Sequence, residues 1–103
     1  MAYELDITFD KRKPALAREL REYAEERLQF ALRRFRDQVR HVRLRLVDVN
    51  GPKRGVDARC VVIARLTTGE QLTVQATTAW PSASVTQAAH RLTNRLRRHK
   101  WRT

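Results

Sequence analysis

Six cations fall within the last thirteen residues: Arg91, Arg95, Arg97, Arg98, Lys100 and Arg102. No carboxylate follows Glu70. A segment of one sign repels itself unless a polyanion neutralises it, and the planar fork of arginine suits phosphate better than the point charge of lysine. Arg91, Arg95 and Arg98 recur at helical spacing. With Lys100 and Arg102 they read as phosphate contacts along the solvent side and end of a helix, because solvated helical faces normally mix both signs. Trp101 stands among them, and its indole either stacks on a base or ribose or closes the edge of the core. A second group lies upstream. Arg27 falls inside an apolar arc that includes Leu16, Leu20, Tyr23 and Ala31. It either snorkels from the core edge or, with Arg34, lines a groove between two helices that faces a bound backbone.

Over the whole chain, 22 Lys+Arg oppose 11 Asp+Glu, a formal net charge of +11 on 103 residues. The excess is uneven. Residues 1–37 carry nine basic and eight acidic side chains, whereas residues 38–103 carry thirteen and three. Eighteen of the cations are arginine, again favouring phosphate recognition over plain solubility.

Other chemistries find little support. His41, His90, His99 and Cys60 lack the short spacing of a zinc site, so no metal is expected. Cys60 sits in an alternating segment and reads as a small buried hydrophobe. A nucleophilic role would require it to be exposed and near a histidine. The stretch Asn50-Gly51-Pro52-Lys53-Arg54-Gly55 has two glycines and two cations but not the spacing of a phosphate-cradling loop. No cofactor or small-molecule substrate is implied. A lone cysteine, an alternating N-terminus and no apolar run of about 20 residues suggest a cytoplasmic protein without a membrane span.

The elements that must position the cations follow from periodicity. Leu5, Ile7 and Phe9 alternate with polar residues, predicting a strand with one buried face. Pro14 opens a long amphipathic helix to about Arg36, with its glutamates early and Arg33, Arg34 and Arg36 in its last turn. Val42, Leu44 and Leu46 alternate with His41, Arg43 and Arg45 in a second strand. Residues 50–55 form a basic loop, and Ala58 to Leu66 a third strand. Thr68-Gly69-Glu70 turns into a fourth strand carrying Leu72, Val74 and Ala76. Ser82 or Ser84 caps a final helix whose stripe is Val85, Ala88, Ala89, Leu92 and Leu96. The result is one domain, residues 1–103, of α+β class and order β-α-β-β-β-α. Both helices cover the single apolar face of a four-stranded sheet, and the other face stays open. Arg43, Arg45, Arg59 and Arg65 decorate that open face without aromatic partners, unlike a sheet that stacks bases.

That order resembles a known family when taken with three stretches. They are the helix Pro14-Ala15-Leu16 through Arg21-Glu22-Tyr23-Ala24-Glu25-Glu26-Arg27-Leu28, the segment Arg33-Arg34-Phe35-Arg36-Asp37, and the ending Arg95-Leu96-Arg97-Arg98-His99-Lys100. The family is that of the ribosome hibernation promoting factors and ribosome-associated translation inhibitors, also called sigma-54 modulation proteins. The resemblance implies four strands with two helices on one side, similar in outline to a double-stranded-RNA-binding domain, and no catalysis. It implies binding of rRNA in the small ribosomal subunit, in the channel that mRNA and the A- and P-site tRNAs would occupy. Idle ribosomes are thereby silenced under stress or in stationary phase. By position it assigns rRNA contacts to Arg27, to Arg33 or Arg34, and to Arg91, Arg98 and Lys100. Ala79-Trp80-Pro81-Ser82 departs from the acidic and aromatic pair usual before the second helix. The ending at Thr103 matches the short form most nearly, expected to be monomeric when free. The rival reading is a free-standing module that recognises structured RNA by shape.

Overall fold

The computed structural model describes residues 3–9, 14–50 and 56–101 and, within them, all side chains but those at 14–17, 50 and 56. The elements are β1 (Glu4–Phe9), α1 (Pro14–Leu32), β2 (Val39–Asn50), β3 (Val56–Leu66), β4 (Gln71–Thr78) and α2 (Pro81–Arg98). This is the expected β-α-β-β-β-α order. The sheet runs β1-β2-β3-β4, with β1 parallel to β2 and the other pairs antiparallel. A parallel pair needs a crossover, and α1 supplies it. The expected basic turn at 11–13 lies outside the described residues, as do Arg102, the side chain of Leu16 and, of the loop expected at 50–55, residues 51–55; Asn50 instead ends β2.

Register puts the buried apolar strand positions on one side, while Val61 and Ile63 face the other. Ile7 pairs with Leu44, Leu44 with Val62 and Val62 with Val74, while Leu5, Val42, Ala64 and Leu72 form the adjacent row. A slip of one residue would turn these rows to solvent. Both helices cover this face, α1 through Ala24, Leu28, Ala31 and Leu32, and α2 through Val85, Ala88, Ala89, Leu92 and Leu96, all buried. The small residues Ala88 and Ala89 let α2 lie close to β3 and β4. Tyr3, just before β1, is buried as well.

The β3–β4 turn depends on Gly69. Its φ is +95°, where a side chain would strain the backbone, and its N–H reaches the Leu66 carbonyl at 3.0 Å.

Two boundaries differ from the sequence reading. First, α1 stops at Leu32, not near Arg36. Turn bonds from Phe35 N–H to Leu32 O (2.8 Å) and Gln38 N–H to Phe35 O (3.0 Å) bend the chain toward β2. Phe35 is thereby swung against the core, and Arg33, Arg34 and Arg36 follow the helix instead of forming its last turn. Second, neither Ser82 nor Ser84 caps α2. Trp80 holds the N-cap position without a side-chain cap bond, and Pro81 begins the helix. Ser84 is fully buried; its hydroxyl donates to Ala58 O (2.6 Å) and accepts from Thr78 N–H (3.1 Å). It ties the first turn of α2 to β3 and to the end of β4.

Cys60 is fully buried on the core face of β3, and burial pushes its thiol up to about 12. A thiol that stays neutral in the fold stabilises it below its ordinary pKa of 9.0, and that contribution is lost as pH rises from there toward 12. At pH 8, alkylation of Cys60 should therefore proceed only as fast as the protein unfolds, and mass spectrometry of native against denatured protein checks this. Ser84→Ala leaves the Ala58 carbonyl and Thr78 amide unsatisfied, so it should cost about 1–3 kcal/mol, measured as a lower denaturant midpoint with an unchanged slope.

Candidate nucleic-acid interface

The helices run parallel. Near the start of the seam between them the Tyr23 hydroxyl meets Thr86 Oγ1, and further along Thr93 Oγ1 lies 3.3 Å from Ala31 O, so residue numbers rise together on both sides. Both C-termini therefore reach the same end of the molecule. There Phe35 and Trp101 stack, with ring centroids 6.2 Å apart and planes 23° apart. The contact brings together two basic groups some sixty positions apart in sequence: Arg33, Arg34 and Arg36 beyond α1, and Arg97, Arg98 and Lys100 at the end of α2.

Trp101 closes the edge of the core. Its indole N–H reaches Leu96 O at 3.3 Å, and the His99 ring meets it edge-on at 4.5 Å. His99 Nε2 lies 3.0 Å from Glu70 Oε1, so the β3–β4 turn also braces this end. The indole is half-buried and oriented by packing.

Arg27 occupies the seam, one turn after Tyr23 and one before Ala31. It is half-buried, as a snorkelling residue would be, and its Nε has no hydrogen-bond partner. Its guanidinium extends over Phe30, 5.6 Å from the ring centroid, and that of Arg33 covers the same ring at 4.5 Å. Arg34 is exposed.

On α2, the structure gives Arg91 and Arg95 a task that charge patterning does not show. β4 is an edge strand without a single charged residue. Arg91 Nη1 donates to Gln75 O at 2.5 Å, and Arg95 Nη1 is 3.5 Å from Thr73 O. Four residues of helix rise roughly 6 Å and two of strand roughly 6.6 Å, so the two side chains match two successive outward carbonyls. They blunt an edge that could otherwise pair with another strand. One nitrogen of each is engaged this way; the rest of each guanidinium, with Asn94, Arg98 and Gln75, lines a groove of about 220 Å³. On the opposite edge Arg21 Nη1 donates to Ile7 O at 2.6 Å and its guanidinium lies 5.1 Å from the Phe9 ring.

Among the described residues, the contacts between a carboxylate and a basic side chain are His41–Asp6 (3.3 Å) and His99–Glu70. No carboxylate there pairs with Arg27, Arg33, Arg34, Arg91, Arg95 or Arg98. Their charge is available to an external anion. The open sheet face has Val61 and Ile63 flanked by Arg43, Arg45, Arg59 and Arg65, with Asp6 beside Arg43. Among its described residues it carries no Phe, Tyr or Trp. The described residues include no group of three or more His, Cys, Asp or Glu side chains that could hold a metal ion, and no helix long and apolar enough to cross a membrane.

Sequence reading missed two side chains, Phe30 and Trp80, which are 56% and 71% exposed. Phe30 lies off the apolar stripe of α1, a signal available from its position. Trp80 was legible only as part of the Ala79-Trp80-Pro81-Ser82 stretch before the second helix.

The fold has solved counterparts. A ribosomal subunit interface protein of Coxiella burnetii aligns over 91% of this chain and 93% of its own, with a TM-score of 0.68 and 20% identity. The N-terminal domain of Thermus thermophilus Protein Y aligns over 97% and 100%, with a TM-score of 0.64 and 22% identity. At such identities the likeness establishes the fold. No curated protein sequence matches the chain. A family model, however, matches residues 7–103, which span both helices, all but the first residues of the sheet and every cation discussed above. The chain belongs to the sigma 54 modulation protein / S30EA ribosomal protein family.

Proposed function

We propose that this protein is a non-catalytic, cytoplasmic ribosome-associated silencer that binds rRNA of the small subunit. In this reading it sits in the channel for mRNA and the A- and P-site tRNAs and keeps idle ribosomes inactive under stress or in stationary phase. Family membership supports a ribosomal role, as does the solved neighbour that is a ribosomal subunit interface protein. The observation that carries the reading is the meeting of two basic groups at the shared end of parallel helices, without carboxylate partners among the described residues.

The physics of such a surface is counterion release. Arg27, Arg33, Arg34, Arg91, Arg95, Arg98 and Lys100 are the proposed phosphate contacts, with Arg102 extending the group beyond the described residues. Trp101 serves them by locking the two ends together. A domain held this way acts as a steric plug: phosphate contacts place it, and its bulk excludes mRNA and tRNA.

Co-sedimentation with small subunits tests the proposal. With six to ten phosphates engaged, affinity should fall about 10³- to 10⁵-fold between 50 and 200 mM salt. Arg34→Ala combined with Arg98→Ala removes two exposed cations that hold nothing within the fold, so it should lower the salt slope by about 2 without changing the melting temperature. Absence of co-sedimentation at low salt, or a flat salt response, defeats the proposal. Equal preference for naked duplex RNA would favour the free-standing module.

A further inference from the structure

Phe30 and Trp80 are the large hydrophobic side chains left exposed among the described residues; Trp80 borders the start of the seam beside Tyr23, and Phe30, seven positions after Tyr23, falls on the same line of α1. A single exposed apolar residue needs no explanation; two on the same line with an arginine between them do. Trp80 borders a shallow groove of about 410 Å³ with Tyr23, Ala83, Thr86 and Gln87, none of them charged. Tyr23 lies seven positions before Phe30 on α1, about 10 Å along the helix. Arg27 sits midway. Beyond Phe30 come Arg33 and the basic end already described.

An aromatic platform, a cation and a second aromatic platform along one seam match what an unpaired nucleic-acid strand needs. Bases stack on the rings and phosphates meet the guanidinium groups. Tyr23 is level with Thr86, six positions after Trp80, so Trp80 and Phe30 lie about 20 Å apart along the helices, room for roughly six stacked nucleotides at 3.4 Å each. The Arg27 and Arg33 guanidinium groups already lie against the Phe30 ring, so the cations that would meet a phosphate are held beside the platform. Glu19, beside Leu20 and Pro81 in the adjoining groove, ends the track where a phosphate would be repelled. A duplex offers no free base faces to such a track.

We infer that the seam takes up an unpaired RNA segment, with one base stacked at Trp80 and another at the Phe30 platform. This rests on the proposed rRNA binding and specifies the form of RNA recognised there. The test uses the full chain with a non-self-complementary single-stranded RNA of about ten nucleotides and with the same sequence as a blunt duplex. Phe30→Leu and Trp80→Leu keep apolar bulk at exposed positions but remove the ring. Each should weaken single-strand binding about 5- to 150-fold, leave duplex binding and the salt slope unchanged, and recover with Phe30→Tyr or Trp80→Phe. Wild-type affinity in both leucine variants, equal loss for duplex and single strand, or no binding of the single strand by the wild type overturns the inference. Ribosome co-sedimentation of the same variants separates the two proposals. A wild type that ignores ribosomes yet loses single-strand binding in the leucine variants sinks the ribosomal reading alone. A wild type that co-sediments while the leucine variants bind single strands normally sinks the seam alone.

Discussion

Each strand of this sheet has one apolar face, and register turns all four the same way, so two helices must share a single side. β1 and β2 are parallel, and the chain returns through a helix between them; the β2–β3–β4 meander then sends the second helix back in the same direction as the first. Parallel helices on one face are thus a consequence of strand alternation and connection order. Burial of Leu28, Leu32, Leu92 and Leu96 fixes the pair, each such side chain contributing about 1.5–3 kcal/mol relative to exposure. From this follows the placement of charge. Two helix C-termini end side by side, and the cations that follow α1 join those that end α2.

That arrangement carries an electrostatic cost which intramolecular pairing does little to relieve. The glutamates Glu19, Glu22, Glu25 and Glu26 lie earlier on α1, while the end where the helices finish has Glu70 engaged with His99. Instead of carboxylates, several arginines take neutral partners: Arg27 and Arg33 the Phe30 ring, Arg91 and Arg95 the carbonyls of a free strand edge. Such contacts orient a guanidinium while leaving its full charge uncompensated. A surface of oriented, unneutralised forks is preorganised for phosphate, and little side-chain freedom remains to be lost on binding.

The edge contacts also give a structural task to residues proposed as phosphate contacts. β4 has no charge of its own to discourage pairing with another chain, and its protection comes from the neighbouring helix. Arg91 and Arg95 are therefore structural on one nitrogen and free on the others. On the other side of the sheet, Arg43 and Arg45 share an edge groove with Phe9, whereas no strand position of that face carries a Phe, Tyr or Trp side chain among the described residues.

Strand alternation, helical spacing and the one-sided charge were properties of the linear chain, because period, propensity and net charge depend on local order alone. They sufficed for the β-α-β-β-β-α order, the shared apolar face, the buried stripe of α2 and the basic character of its end. The end of α1 was not legible: it is set by Phe35 turning to meet Trp101, a contact across sixty-six positions. Nor was the role of Ser84, a cap by sequence position but a buried link to β3 in the fold, because its partners Ala58 and Thr78 are brought to it by sheet pairing. The same holds for Arg91, Arg95, Phe30 and Trp80. Their types were plain, but which face each occupied, and what lay opposite, depended on how two helices pack. Local sequence decided which residues are charged, apolar or extended, and tertiary packing alone decided which of them meet.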